Sequence, residues 1–325
     1  MSMHEASTEL LDVVVDEVRD EAQGIRSFDL APRDGRPLPP FAPGAHVDLI
    51  MGGGLVRSYS LIGELGDPLR YRIAVLRDPR SRGGSAFMHA SVGKGTPLKM
   101  TSPRNHFPLV EEAPVSVLIA GGIGVTPIWC MIQRLNMLGR RWVLHYACRS
   151  RGAAAFAPAI DAAARHGRGQ VQFWFDDEHG GQTLDLAGIV RRAPADAHLY
   201  CCGPAPMLAA FRAAVPGEWS HRTHMEYFRP AESAKPARAF VVELARSGRT
   251  IEVPGGCSIL DALMMHGIDA PYSCYEGLCG TCETRVIAGI PDHRDQLLSD
   301  KARAENKTVI ICCSGSLSDR LVLDL

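Results

Sequence analysis

Three cysteines within one short loop, and a fourth far downstream, constrain this chain more than anything else in it. Cys274 and Cys279 are separated by four residues, Cys279 and Cys282 by two, and Cys312 follows after 29 more. Four thiolates at this spacing suit two irons bridged by two sulfides. A tight loop supplies three of the ligands and a returning strand brings the fourth. Ser273, Gly277, Gly280 and Thr281 keep the loop small, so its backbone N–H groups can approach the sulfurs and tune the potential. A structural zinc site also takes four cysteines, but usually in paired Cys-x2-Cys knuckles. Here one arm has four intervening residues and the distant arm has two adjacent cysteines. The reading is a [2Fe–2S] cluster on Cys274, Cys279, Cys282 and Cys312. Cys313 adjoins the last ligand, and neighbours on a strand point to opposite faces. Only one of the two can bind, and spacing selects Cys312. Cys130, Cys148, Cys201 and Cys257 read as buried thiols.

At 325 residues the chain exceeds what one hydrophobic core serves, so two or three domains are expected. Residues 8–110 read as short strands broken by turns. Leu11–Val15, His46–Ile50, Arg57–Leu61 and Tyr71–Leu76 are the clearest, with Arg36-Pro-Leu-Pro-Pro40 and Met51-Gly-Gly-Gly54 between them. Strands so spaced suggest a small β-barrel. The texture changes at Pro114. Val115–Ala120 suits a strand buried on both faces, and Gly121-Gly-Ile-Gly124 turns it into a helix. Thr126 is the expected N-cap, with Pro127 at the first helical position and Gly139 ending the helix. Strands at Trp142–Ala147, Val171–Phe175 and His198–Cys202 alternate with helical segments at Ala153–Arg165 and Leu184–Arg191. That alternation implies a parallel sheet with helices on both faces. Residues 229–239 hold two prolines among small and charged residues and read as a linker. Beyond it, Phe240–Ala245 and Thr250–Val253 form a hairpin around Ser247-Gly248, and Ser258 caps a short helix closed by Gly267. The expected division is therefore 1–110, 111–228, a linker at 229–239, and 240–325.

Charge narrows the function. Lys+Arg (35) and Asp+Glu (36) nearly cancel, so no basic field points to nucleic acid. The first ten residues are polar and acidic, unlike a signal peptide. Residues 113–133 carry no charge over a length that could span a bilayer. Pro114, Pro127 and three glycines make them a buried strand turning into a buried helix instead. With no export signal, the ten cysteines are thiols or metal ligands rather than a disulfide framework, and the expected location is the cytoplasm.

Three further motifs carry chemistry. Arg57-Ser-Tyr-Ser60 sits on a barrel strand, and Ser81-Arg-Gly-Gly-Ser85 follows. Glycines before a serine expose N–H groups as an anion nest, to which Arg57 adds a guanidinium fork and Tyr59 an aromatic face. A flavin phosphate site is the plausible use. Gly121, Gly122 and Gly124 join strand to helix in a dinucleotide-like turn that departs from G-x-G-x-x-G. Tyr146-Ala-Cys-Arg-Ser150 and Cys202-Gly-Pro204 end two other strands. Ligands of open α/β sheets sit at the carboxyl ends of strands, where all three turns fall.

Read together, these motifs resemble the phthalate dioxygenase reductase family of the ferredoxin–NADP reductase superfamily. Arg57–Leu61, Arg82–Ser85, Pro103-Arg-Asn-His-Phe107, Gly121–Pro127, Cys202–Pro204, Met225-Glu-Tyr-Phe228, Cys274–Cys282, His293-Arg-Asp295 and Leu298-Ser299 occur in the family's order over nearly the whole chain. The resemblance implies three modules: a flavin-binding β-barrel, a doubly wound α/β nucleotide domain, and a β-grasp plant-type ferredoxin domain. It implies that Arg57, Ser58, Tyr59, Ser60, Gly83, Gly84 and Ser85 hold FMN, with Ala74 and Val75 along the ring. Thr126 would lie near flavin and nicotinamide, and Cys202, Gly203 and Pro204 beside the hydride-transfer site. Tyr227 or Phe228 would cover the flavin, and Arg149 and Ser150 would touch the adenosine end. The implied activity is electron transfer from NADH through FMN and the cluster to a Rieske-type oxygenase, such as an aromatic O-demethylase, by a monomeric reductase without nucleic-acid or membrane partners. A cytochrome P450 or free ferredoxin as acceptor is an alternative, and a redox sensor is a more distant one. One departure stands out. The family commonly reads Cys-Val-Ser-Arg at the last ligand, where this chain has Cys312-Cys313-Ser314-Gly315, without the basic residue.

Overall fold

Turn residues divide the first ~105 residues into antiparallel strands. The computed structural model describes residues 10–52, 55–63, 65–79, 81, 83–228, 236, 238–272, 277–278 and 280–325. Strands β1 (Leu10–Ala22), β2 (Ile25–Pro32), β3 (Ala45–Met51), β4 (Leu55–Ser60), β5 (Tyr71–Leu76), β6 (Pro97–Thr101) and β7 (Arg104–Asn105) form one sheet, with helix α1 (Gly84–Ser91) between β5 and β6. Its order is β4-β3-β6-β1-β2-β5, with β7 on β3. The end strands approach each other, and the Ile62 N–H donates to the Arg72 carbonyl at 2.7 Å, so the sheet curls into a barrel. Period-two alternation sends Val13, Val15, Phe28, Leu30, Val47, Leu49, Ile73 and Val75 inward. Asp29 has no exposed side-chain surface. It is held by Arg72 at 2.5 and 2.9 Å and by Arg19 at 2.9 Å.

Strand–helix alternation then takes over. Strand β8 (Val115–Gly121) is buried along its whole length, as a strand covered on both faces must be. Helix α2 (Val125–Met137), β9 (Arg141–Cys148), α3 (Ala157–His166), β10 (Gly169–Phe175), α4 (Leu186–Arg192), β11 (His198–Cys202), α5 (Ala205–Ala214) and β12 (Thr223–Glu226) follow. The five strands are parallel in the order β10-β9-β8-β11-β12. Thr126 is not the N-cap expected above. A 3-10 turn at Gly122–Gly124 runs straight into the helix, so no extended residue precedes it. Thr126 lies inside the first turn, where its hydroxyl donates back to the Ile123 carbonyl at 3.0 Å. Gly139 does follow the helix end, at φ +63°.

The chain divides into two compact units, Met1–Glu226 and Tyr227–Leu325. In the second, β13 (Phe240–Leu244), β14 (Arg249–Val253), α6 (Ile259–Met265), β15 (Glu283–Ala288), β16 (Pro291–Asp292), α7 (Asp300–Glu305), β17 (Thr308–Ile310), β18 (Gly315–Ser316) and β19 (Arg320–Leu323) build a mixed sheet ordered β14-β13-β19-β15-β17 and a small β16-β18 pair. Parallel pairing of β13 with β19, flanked by antiparallel neighbours, gives the β-grasp arrangement. Ser258 closes a reciprocal cap with Asp261 at 3.1 and 2.8 Å. Among the described residues no helix is long and apolar enough to cross a membrane.

Candidate functional site

On the barrel, α1 begins where the sequence shows Gly83-Gly84-Ser85. Gly83 stands at φ +94° and makes no side-chain cap, and the positive end of the helix opens on its first N–H groups, of which that of Ala86 donates to Ser81 Oγ at 3.2 Å. Arg57 crosses beside them. A Cβ at Gly84 would sit 2.7 Å from Arg57 Cγ and 3.2 Å from its Nε, so only glycine lets the guanidinium stem lie against this turn. Tyr59 packs against the barrel core, and burial pushes its phenol far above the ordinary range. Among the described residues, Ser60 Oγ is buried without a hydrogen-bond partner. An orphaned hydroxyl, a guanidinium and a helix N-terminus together fit a phosphorylated, hydrogen-bonding ring such as FMN. Ser58 is turned elsewhere: its hydroxyl donates to Asp48 at 2.5 Å, and Asp48 also receives Arg104. Ser85 Oγ accepts the Asp78 N–H at 3.1 Å. Ala74 and Val75 are buried on β5, and the Val75 carbonyl meets His89 Nε2 at 2.9 Å. Sequence reading missed His89, because nothing local ties a helix histidine to a strand carbonyl. Arg82 lies outside the described residues.

On the parallel sheet, chain order reverses between β8 and β11, the point where open α/β sheets open a ligand crevice. Gly121, Gly122 and Gly124 leave β8 there, and Cys202-Gly203-Pro204 leaves β11. The two turns interlock. A Cβ at Gly124 would lie 2.3 Å from the Cys202 carbonyl oxygen, one at Gly121 2.7 Å from Pro204 Cδ, and one at Gly203 3.2 Å from Gly121 Cα. Cys202 has no exposed surface, and burial holds its thiol well above the normal range. Its Sγ donates to Glu226 Oε2 at 3.8 Å. Glu226 ends β12, and burial pushes its carboxyl up to about 8, against the smaller lowering effect of the Cys202 contact. At neutral pH it is a protonated acid beside the crevice. No role was read for it from sequence, because a four-residue strand has no legible period. Arg149 and Ser150 follow β9, where the Arg149 carbonyl accepts the Asp177 N–H at 3.1 Å. Tyr227 and Phe228 belong to the second unit.

In the second unit, Cys282 and Cys312 are 3% and 4% exposed. Cys274 and Cys279 lie outside the described residues. The Gly277 N–H donates to Cys312 Sγ at 3.2 Å. Gly277 stands at φ +70°, and a Cβ there would sit 2.6 Å from Cys313 Sγ and 3.3 Å from Asp295 Cα. Cys313 instead directs its thiol at the Ile310 carbonyl, 3.6 Å away. A buried sulfur that accepts a backbone N–H inside a glycine-only cradle fits a cluster thiolate. The 293–298 turn braces this cradle. Asp295 accepts the Leu297 and Leu298 N–H groups at 3.0 and 2.7 Å, and the Gln296 N–H reaches the Gly277 carbonyl at 3.3 Å. Of the thiols expected to be buried, Cys130, Cys148 and Cys201 are, and Cys257 is half-buried.

Known proteins match both halves of this arrangement. The family model of a 2Fe-2S iron-sulfur cluster binding domain matches residues 242–315, and that of an oxidoreductase NAD-binding domain matches 118–213. The phenoxybenzoate dioxygenase subunit beta of Ectopseudomonas oleovorans is 53% identical over 306 residues, covering 94% of each chain. An intact type IV self-sufficient cytochrome P450 monooxygenase superposes with a TM-score of 0.87 and 35% identity over 97% of this chain, which spans 41% of that protein. The structure of phthalate dioxygenase reductase superposes with a TM-score of 0.71 and 33% identity, covering 97% of this chain and 98% of that one. Fold and site thus define an oxidoreductase with a flavin barrel, an NAD-binding sheet and a [2Fe–2S] domain in one chain. The chain belongs to the phthalate dioxygenase reductase family. It joins an NAD-binding domain to a [2Fe–2S] domain, and its relatives include a vanillate O-demethylase oxidoreductase of Pseudomonas putida and a reductase subunit of a toluene-4-sulfonate monooxygenase system of Comamonas testosteroni.

Proposed function

We propose that this reductase serves a Rieske-type oxygenase acting on an aromatic compound, as a cytoplasmic monomer, with FMN on residues 1–110, NADH on 111–228 and the cluster on 240–325 beyond a linker at 229–239. End-to-end correspondence with phthalate dioxygenase reductase carries the reading, since both chains are covered almost entirely. FMN accepts a hydride and releases single electrons, which joins a two-electron donor to a one-electron cluster. The chain's own residues position and tune. Arg57 and the α1 N-terminus hold the phosphate, and Ser60 Oγ is the hydroxyl left for the ring. Tyr59, Gly83, Ala74 and Val75 shape the flavin's bed, with Ser85 ordering the loop before α1 through Asp78. The interlocked turns at Gly121–Gly124 and Cys202–Pro204 wall the nicotinamide crevice, and Thr126, tied to the Ile123 carbonyl, keeps the glycine turn in shape. Cys274, Cys279, Cys282 and Cys312 ligate the cluster. The Gly277 N–H on Cys312 Sγ, with Cys313 turned to Ile310, supports Cys312 as the fourth ligand.

Cys282→Ser tests the order of transfer. It should keep NADH-driven flavin bleaching in a stopped-flow experiment and lose electron delivery to an oxygenase or to cytochrome c. Full delivery by the variant would refute the cluster's role as outlet. The likeness to a P450-fused reductase supports a second acceptor class. Pairing the reductase with a purified Rieske oxygenase and with a P450, and measuring acceptor-dependent NADH consumption, separates the two.

A further inference from the structure

The carboxyl ends of β9 and β10 lie side by side, with Cys148 paired to Phe175. Two arginines follow β9. Arg149 is exposed, and Arg151 is engaged. Arg151 Nε and Nη2 donate to both carboxylate oxygens of Glu178 at 2.5 and 2.9 Å, and its guanidinium lies 4.7 Å from the centre of the Phe175 ring. Glu178 is not a loose surface acid. It sits in the 3-10 turn Asp176–His179 that leaves β10 directly. His179 anchors that turn by stacking on Trp174 at 3.7 Å and by bonding the Phe175 carbonyl through Nδ1 at 2.8 Å. The Asp177 N–H on the Arg149 carbonyl ties the same turn to the end of β9. The Arg151 guanidinium is therefore paired on a turn that carries three carboxylates, Asp176, Asp177 and Glu178.

We propose that Glu178 makes this chain select NADH over NADPH by holding Arg151 in a two-point ion pair, so that the cation placed for a 2′-phosphate is already satisfied. The inference rests on the reading that the adenosine ribose lies at these strand ends. In dinucleotide folds an acidic residue suits the 2′-hydroxyl of NADH, whereas a nearby arginine accommodates the 2′-phosphate of NADPH. A bidentate carboxylate uses the planar fork that phosphate would use and cancels its charge. A 2′-phosphate must displace Glu178 and then face Asp176 and Asp177. A 2′-hydroxyl meets neither obstacle.

Equilibrium titration of the holoenzyme with 5′-AMP and with 2′,5′-ADP tests this without turnover. Glu178→Gln keeps the shape and removes the charge at an exposed position, so it leaves the fold intact. The variant should bind 2′,5′-ADP about tenfold more tightly than wild type, the factor that one charge-assisted contact of about 1.4 kcal/mol supplies. Its affinity for 5′-AMP should stay within about twofold, and the gain should shrink as ionic strength rises. Adding Arg151→Ala to Glu178→Gln should abolish the gain. An unchanged 2′,5′-ADP affinity in Glu178→Gln overturns the proposal. So does a gain that survives in the double variant, since relief of repulsion alone would then explain it. If 5′-AMP binds neither protein, the assignment of the adenosine end itself falls, a result distinct from both.

Discussion

The protonated acid at the end of β12 gives the sharpest test of the nucleotide crevice. Glu226→Gln replaces the Glu226 carboxyl with an amide that is neutral at every pH. Burial moves this carboxyl from an ordinary 4.5 to about 8. That difference of about 3.5 units corresponds to roughly 5 kcal/mol at 1.36 kcal/mol per unit. The sign follows from linkage. The folded chain holds the proton that the unfolded chain releases above 4.5, so stability falls by about 1.4 kcal/mol per pH unit from 4.5 to 8 and levels off beyond. At pH 7 about nine-tenths of the folded molecules carry the proton. The assay is a difference acid–base titration of native holoprotein, wild type minus Glu226→Gln, which cancels every other titrating group. Wild type should release about one additional proton per chain with a midpoint near 8. In the same comparison, the stability of wild type relative to the variant should drop by roughly 2 kcal/mol between pH 5.5 and 7.5. Release of the extra proton below about pH 6 would refute the reasoning, because the carboxyl would then be hydrated and the crevice floor open to water.

Other perturbations probe the scaffold. Gly124→Ala should cost at least about 3 kcal/mol and weaken 5′-AMP binding, since its Cβ would stand 2.3 Å from a backbone oxygen with no side chain to yield; denaturant midpoints and nucleotide titration check both. Asp29→Asn should destabilise the barrel by about 3 kcal/mol, the lower end for breaking a buried pair, because Arg19 and Arg72 keep about a third of their side-chain surface. Burial alone would raise the Asp29 carboxyl, but hydrogen bonds from Arg72 and Arg19 outweigh it and hold it below 3.8. Its stabilisation is therefore present above 3.8 and lost as pH falls below that, so the melting curves of wild type and Asp29→Asn should converge in acid.

What could be read from sequence was what local spacing encodes. The largely apolar Val115–Ala120 strand, the Ser258 cap and the closing glycines at 139 and 267 each depend on neighbours within a few residues, and each has its structural counterpart. What escaped depends on distant partners or on the choice between two local forms. Thr126 looked like a cap because Thr-Pro begins many helices, but the 3-10 turn before it had already started the helix. Gly83-Gly84 read as an anion nest with no helix behind it, and the pair opens α1. Ser58 belonged to a flavin motif by sequence order, yet strand pairing sets it opposite Asp48, 10 residues earlier, and that carboxylate takes its hydroxyl. Glu226 and Cys202 meet only because β12 pairs with β11 in parallel, a contact no local pattern announces.

The interlock of the two crevice turns also dictates how this region can drift. At Gly203 the main obstacle to a methyl group is Met207 Sδ, 2.7 Å away, a flexible side chain that a shorter residue would clear. At Gly121 the same sulfur is joined by the Pro204 ring at 2.7 Å, so two replacements must arrive together. At Gly124 the obstacle is the main chain itself, which no exchange of side chains removes. Suppressor genetics should therefore find partners for the first, rare pairs for the second and none for the third. The three glycines of one crevice are thus graded from replaceable to fixed by what each happens to face.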